Sequence, residues 1–418
     1  MQVFTGLTST EFCESYYRES KFSQTSWVQF GQDALLIANE SDWQQIIQET
    51  GRRATPFKQN SNPSQKENLY LVIQKGRLFQ KEHPDVPVLM DKGRFLVVEL
   101  DSQQAQQWDK GDEPCYAIRP LQDYPVVFQL RSPSATRLRA STEIQNLVNQ
   151  ISQLSLQQTL QKLVSFPTRY STSQFYTEAA TWVKEQLDLL GYETRIDEIT
   201  VRGEKSLNVI AQKQGKGTDN RELVILTAHL DSINHDDEPL GISPGADDNG
   251  SGSAGVIEIA KVLKNYEHQH DLCLVLFGGE EQGLFGSQQY VRDLTQAERS
   301  RIKAVINMDM IGSLNTATPT VMLEGARLSQ AVIDGLAYSA EIYTGLTVQT
   351  SLNPFASDHV PFINAGLPAV LTIEGADSAN NAIHSANDTL TLLNDQLMLE
   401  ILRMNVAFMA SLLNESAI

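Results

Sequence analysis

An α/β fold, with a mixed, mostly parallel central sheet flanked by helices and a smaller α+β amino-terminal domain, is what this 418-residue chain predicts. Apolar runs at 222–227, 272–277, 304–308 and 369–373 have the length and near-continuous apolarity of strands buried on both faces. Between the first two, Val256, Ile259, Ala260 and Leu263 recur at helical spacing, so strand and helix alternate as parallel connections require. The length exceeds one ordinary core. Residues 1–135 are read as an accessory or prosegment-like domain and 136–418 as the main one.

The first third has its own pattern. The strand-like run 33–38 passes through Asn39 and Ser41 into a helical stretch reaching Thr50, and the run 94–100 passes through Asp101 into a helical stretch from Gln103 to Trp108. A further strand is expected at 69–73. Strand, cap and helix thus occur twice, in the manner of a duplicated unit. Residues 131–136 read as a linker, and a helix is expected from near Ser141. The Gln-rich stretch 145–161 is preceded or punctuated by Ile144, Leu147, Val148, Ile151 and Leu154, the pattern of an amphipathic helix.

Composition narrows the partners. With 51 acidic against 33 basic residues, a net charge of -18 and no basic cluster, nucleic acid is excluded as a partner. No run approaches the apolar length of a bilayer span, so membrane insertion is not expected. Of three cysteines, Cys13 and Cys115 are candidates to pair, and Cys273, inside a core strand, reads as a small buried hydrophobe.

The chemistry gathers at strand ends, the edge of a parallel sheet where ligands bind. Glu280 and Glu281 follow the run 272–277 across Gly278 and Gly279. His229 and Asp231 follow 222–227, Asp309 follows 304–308, and His384 follows 369–373 after a loop. Asp247 and Asp248 open the helical segment within a Gly-rich stretch. Imidazole and carboxylate without thiolate suit Zn²⁺, with Mn²⁺ or Co²⁺ able to use the same cage. Two divalent ions about 3.5–4 Å apart need a bridging anion, and Asp247 is taken as that bridge. His229 with Asp309 and His384 with Glu281 then complete the two positions. Glu280 is left as general base toward a metal-activated water. Asp231, two residues past His229, is expected to accept the imidazole's second N–H.

Plainer roles are assigned to the neighbours. Asp248 is read as a cap or loop-shaping group, His359 as part of a helix start after Ser357 and Asp358, and His235 as solvated loop. His83, His268 and His270 are expected to be exposed. Asp388 is read as a helix cap or as support behind the site. That the whole set is only solvated strand ends is outweighed by six metal-binding and acid/base groups arriving in one domain.

The strings around His229-Leu230-Asp231-Ser232, Gly245-Ala246-Asp247-Asp248, Glu280-Glu281, Asp309 and Ile383-His384 resemble the co-catalytic di-zinc aminopeptidases of the secreted bacterial leucyl type. The similarity takes in residues 163–171, Ser357-Asp358-His359 and 364–368, and so covers roughly residues 140–418. The resemblance implies a zinc-exopeptidase fold and two Zn²⁺ per chain held by His229, Asp247, Glu281, Asp309 and His384, with Glu280 as base. It further implies peptide substrates with a free amino terminus and a preference for large apolar residues. It favours a secreted or periplasmic location, with the leader not in this sequence; Met1 to Leu7 have no signal-peptide character, and a cytoplasmic location stays open. The family often places a tyrosine before the Ser-Asp-His string to hold the oxyanion. Here Asn353, Pro354, Phe355 and Ala356 precede it, leaving Tyr343 or a backbone N–H as alternatives, and nearby cysteines that form a disulfide in some relatives are missing. Glutaminyl-cyclase-like and carboxypeptidase activities are the rival readings of the same fold, although no arginine cluster suited to a substrate carboxylate is visible. The oligomeric state is not legible.

Overall fold

The computed structural model describes residues 2–9, 26–50, 55–56, 64–109, 116–123, 126–132, 140–218, 221–237 and 241–414, and in it the apolar runs become neighbouring strands. Asp271–Phe277, Leu223–His229, Ile302–Met308 and Ala369–Glu374 lie side by side and parallel. Glu204–Lys213 and Glu193–Val201 extend the sheet on one side, Thr320–Gly325 and Thr347–Ser351 on the other. Period-two alternation splits the side chains between two cores. Val224, Leu226, Leu272 and Leu274 face the helices Gly252–Leu263, Gln330–Tyr343 and Asp395–Asn414. Leu223, Ile225, Cys273 and Val275 face the opposite way, toward Tyr290, Val291 and Phe362 of the helices Phe285–Asp293 and His359–Asn364. Register then fixes the site. His229 pairs with Phe277 and Thr227 with Asn307, so the residues following three adjacent strands leave the sheet at the same edge.

Several expectations change in three dimensions. The Gln-rich stretch is two helices, Thr142–Val148 and Gln153–Val164, because Ser152 caps a new start by accepting the Ser155 N–H. The second helix buries Leu156, Leu160 and Leu163, and Leu154 is left 65% exposed. His268 and His270 are buried, not exposed: the Gln269 and His270 N–H groups both donate to the Leu413 carbonyl, which tucks this connection under the last helix. His83 is half-buried and stacks on Trp108. The helix Asp395–Asn414 has the length and apolarity of a membrane span, contrary to the sequence reading, yet most of it is absorbed by the main core.

The change of pattern near residue 135 does not divide the sheet. Val126–Leu130 pairs antiparallel with Thr347–Ser351, and beyond it Ser26–Phe30, Asp33–Ala38 and Gln2–Ser9 continue the same 14-stranded sheet. Leu69–Gln74 belongs to a separate antiparallel sheet of four strands with Val88–Lys92, Phe95–Glu99 and Tyr116–Pro120. Both strand–cap–helix units form. Asn39 accepts the Asp42 N–H ahead of the helix Glu40–Thr50, and Asp101 makes a capping box with Gln104 ahead of Ser102–Trp108. The two units lie in different sheets, so their likeness is local. Cys13 and Cys115, with most of the expected linker, fall outside the described residues.

The two sides of residue 135 share a core as well as a sheet. Phe30, Leu71, Ile73, Phe95 and Phe128 pack in one cluster with Met310, Met322, Leu371, Ile373 and Ile383. At its edge the buried Arg94 donates from two nitrogens to Glu324, at 3.0 and 3.1 Å, and also reaches Asp377 and the Phe355 carbonyl. Replacement by Arg94→Met is expected to lower unfolding free energy by roughly 3–5 kcal/mol, because Glu324 and Asp377 stay buried without a cation. Urea denaturation measures this; a loss under about 1 kcal/mol, as for a surface pair, would contradict it.

Candidate metal centre

The loop before the helix Gly252–Leu263 is set first by glycine. Gly245 has φ +51, and a Cβ there would lie 2.5 Å from the Asp248 carbonyl and from Ser232 Cβ. Buried Arg169 binds the carbonyls of Leu230 and Gly245, both at 2.8 Å, tying this loop to the end of strand Leu223–His229. Asp388 accepts the N–H groups of both Asp247 and Asp248. Burial, then the charge of Asp247, pushes the Asp388 acid up to about 8. Asp388 is therefore a backbone support for the adjacent acids.

Those two acids part company. Asp247 Oδ1 accepts the N–H groups of Gly312 and Ser313 at 2.8 and 3.1 Å, and its Oδ2 accepts Asn380 at 3.0 Å. The carboxylate expected to bridge two metals is thus committed to neighbouring chain. Asp248 lies between the two imidazoles: Oδ1 is 3.2 Å from His229 Nε2 and Oδ2 is 3.1 Å from His384 Nε2. The residues on either side of the Asp247–Asp248 bond are held by different partners, so their carboxylates diverge, and an adjacent acid pair in sequence does not reveal which one faces inward.

Two triads share Asp248. His229 Nε2 also lies 3.2 Å from Asp309 Oδ1, and His384 Nε2 also lies 3.1 Å from Glu281 Oε2. The donor atoms of His229, Asp248 and Asp309 lie within 4.8 Å of one another, as do those of Asp248, Glu281 and His384. Both oxygens of Asp248, both of Glu281, Glu280 Oε2 and both ring nitrogens of His384 are buried without a hydrogen-bond partner. So many orphaned acceptors facing one another fit divalent cations with nitrogen and oxygen ligands. The tautomer agrees: His229 Nδ1 lies 3.2 Å from the Asp231 carbonyl, which accepts its proton and leaves Nε2 for the cluster. It is the Asp231 carbonyl that serves the ring. The Asp231 carboxylate, 3.7 Å from Nδ1, instead accepts the N–H groups of Glu280 and Glu281 and so sets both glutamates.

The charges of the cluster shift one another's proton affinities. Burial favours neutral imidazole at His229, but Glu280 and Asp309 outweigh it and hold the ring well above its ordinary value; at His384, Glu281 and Asp248 do the same. Burial would raise Asp248, yet His229, His384 and Lys75 keep it well below the carboxylate range. Glu280 moves the other way, pushed well up by burial with Lys75 and His229 pulling against it. A metal entering such a cage displaces protons from its imidazoles.

Sequence reasoning did not reach Lys75. It stands one residue past strand Leu69–Gln74 with nothing chemical to mark it, yet its ammonium is 2.8 Å from Glu280 Oε1 and 3.7 Å from Asp309 Oδ2. Burial would strip its proton, but Glu280, Asp309, Asp248 and Glu281 together raise it well above a free lysine. Ser357 was quoted for its helix start, and it donates to Asp309 Oδ2 at 2.8 Å while receiving Asn307. His359 begins its helix as expected and lies near Glu324. Asp358 makes no capping bond; its carboxyl is buried without a partner, and burial pushes it up to about 7. His235 is exposed, its ring edge-on to His384 at 4.7 Å. Tyr343 ends a helix and accepts the Ser141 N–H.

Comparison with known proteins agrees with this geometry. Residues 208–409 match Peptidase family M28. A probable leucine aminopeptidase of Trichophyton verrucosum is 31% identical over 289 residues, 65% of this chain and 76% of its own length. The LapA aminopeptidase of Legionella pneumophila superposes with a TM-score of 0.59 at 22% identity, over 84% of this chain and 99% of its own. BSAP, a zinc aminopeptidase from Bacillus subtilis, gives 0.57 at 16% identity, over 63% of this chain and 96% of its own. Fold, donor set and relatives define a metalloaminopeptidase. The chain belongs to peptidase family M28.

Two outcomes test the site. Asp248→Asn is expected to bind less zinc than the parent, whereas Asp247→Asn should keep the parent's metal content and lose thermal stability; metal analysis of the purified variants decides, and the reverse pattern would make Asp247 the carboxylate that serves the metal. Asp358 gives a pH dependence. Its acid ionises near 3.8 when unfolded and near 7 when folded, so the folded state binds the extra proton between those values and stability falls as pH rises through them. Relative to Asp358→Asn, the parent should lose roughly 2–4 kcal/mol across that window, read by urea denaturation at each end; parallel profiles would contradict it.

Proposed function

We propose that this aminopeptidase hydrolyses the amino-terminal residue of peptides with two zinc ions per chain, favouring large apolar residues. The observation that carries the metal count is the Asp248 carboxylate, which offers one oxygen to each imidazole. His229 and Asp309 would complete one position, His384 and Glu281 the other. Bound there, the cations would lower the pKa of a water and polarise the scissile carbonyl. Glu280 is the base: its Oε2 is 4.0 Å from His229 Nε2 and has no donor, so it borders the His229 triad while belonging to neither triad. It takes a proton from the attacking water and returns it to the leaving amine. Asp231 fixes Glu280 through the backbone, and Ser357 orients Asp309. The acidic surroundings and the net charge of -18 attract a cationic amino terminus. The side-chain preference rests on the leucine aminopeptidase name of the Trichophyton relative.

Aminoacyl-nitroanilides compared with amino-blocked counterparts, with metal counted in the same sample, test the reading. Cleavage confined to free-amine substrates, fastest for leucine, with two zinc ions bound is expected; equal cleavage of blocked substrates would overturn it. In the same assay Glu280→Ala should reduce kcat by about 10²–10⁴-fold with both zinc ions retained, and loss of zinc would make Glu280 a ligand instead.

A further inference from the structure

A hydrolase must admit its substrate, and this centre is shut. His229, Glu280 and Asp309 are 0% exposed, Asp248 2%, Glu281 4% and His384 7%. Lys75, from the small antiparallel sheet of the amino-terminal third, is 1% exposed and projects into the centre, its ammonium 2.8 Å from Glu280 and 3.7 Å from Asp309. That group is chemically what a peptide presents at its amino terminus, a cationic amine with N–H donors. Two such groups cannot stand beside the same carboxylates, and a cation there also repels a divalent ion entering the triads.

The segment carrying Lys75 is held on both sides. Ser378 donates to the Gln74 carbonyl at 2.7 Å, and the Gln74 side chain donates to the Gly93 carbonyl at 2.9 Å. Gly76 has φ +53, and a Cβ there would meet Ile383 Cδ1 at 3.0 Å, next to His384. The chain therefore runs across the mouth of the cluster against the residue that precedes one of its imidazoles.

We propose that Lys75 is a built-in substrate mimic that keeps the folded chain latent: its ammonium takes the place of the peptide's amino-terminal amine beside Glu280 and Asp309 until the 74–76 segment withdraws. This rests on the aminopeptidase reading for the identity of the displaced amine, and on geometry alone for the occlusion.

The test uses the full chain, with Lys75→Met and Lys75→Gln as uncharged variants and Lys75→Arg as the charge-keeping control. Two quantities are read: hydrolysis of leucine p-nitroanilide in saturating zinc, and zinc affinity by competition with a chromophoric chelator. Both uncharged variants should gain about tenfold or more in kcat/KM and bind zinc about tenfold more tightly, with Lys75→Arg staying near the parent. Using two neutral side chains keeps the test open if one fails to fold. Unchanged zinc affinity and turnover would overturn the proposal. So would lost turnover with zinc retained, which would make Lys75 a group that the reaction uses. If none of the chains hydrolyses the substrate, tighter zinc in the neutral variants upholds the occlusion while the aminopeptidase reading fails, and unchanged zinc overturns the occlusion itself.

Discussion

Four carboxylates, Asp248, Glu280, Glu281 and Asp309, meet where water is excluded, and their mutual repulsion is the constraint that the rest of the structure answers. In a medium of low dielectric, like charges at these separations cost several kcal/mol unless cations stand among them. The Lys75 ammonium supplies part of that compensation, and the two imidazole-bearing triads are built to take cations for the rest. The other devices around the centre keep the acids from drifting apart: Asp231 holds the Glu280–Glu281 backbone, Asp388 the Asp247–Asp248 backbone, and Ser357 one oxygen of Asp309. A cluster so arranged is unstable as a collection of anions and stable as a cation receptor.

Much of this was legible in the chain because strand ends are legible. A buried parallel strand is an apolar run with a sharp polar end, and parallel neighbours in register bring those ends to one edge, so His229, Glu280, Glu281 and Asp309 needed no tertiary information to be grouped. His384 lay further from its strand, but an imidazole after a Gly/Asn-rich loop completed the donor set. That Asp248 and not Asp247 faces the two imidazoles has a physical reason. In the turn, the choice between adjacent acids depends on which is claimed by the N–H groups of Gly312 and Ser313, and those lie sixty-odd residues downstream. Nor could periodicity show that His268 and His270 would be covered by the final helix.

The amino-terminal third was the hardest region to read for the same reason. Its local units, strand with cap and helix, formed as expected, because capping depends on residues a few positions apart. What those units touch depends on pairings across hundreds of residues: Arg94 with Glu324 and Asp377, Val126–Leu130 with Thr347–Ser351, Lys75 with Glu280. A lysine after a strand is ordinary in sequence. Only the fold gives it an address.

The shared sheet also separates two events that are easily equated, cutting the chain and parting its pieces. A backbone cut between Leu130 and Thr142 would leave Val126–Leu130 still laddered to Thr347–Ser351, the Val127 carbonyl still receiving Ser351 and Asn353, and Arg94 still clasped by Glu324. The nicked molecule would migrate as two chains on a denaturing gel and as one particle in a native column. Its history of proteolysis would therefore be invisible to any measurement of native size, and severing the connection alone would not lift Lys75 away from Glu280.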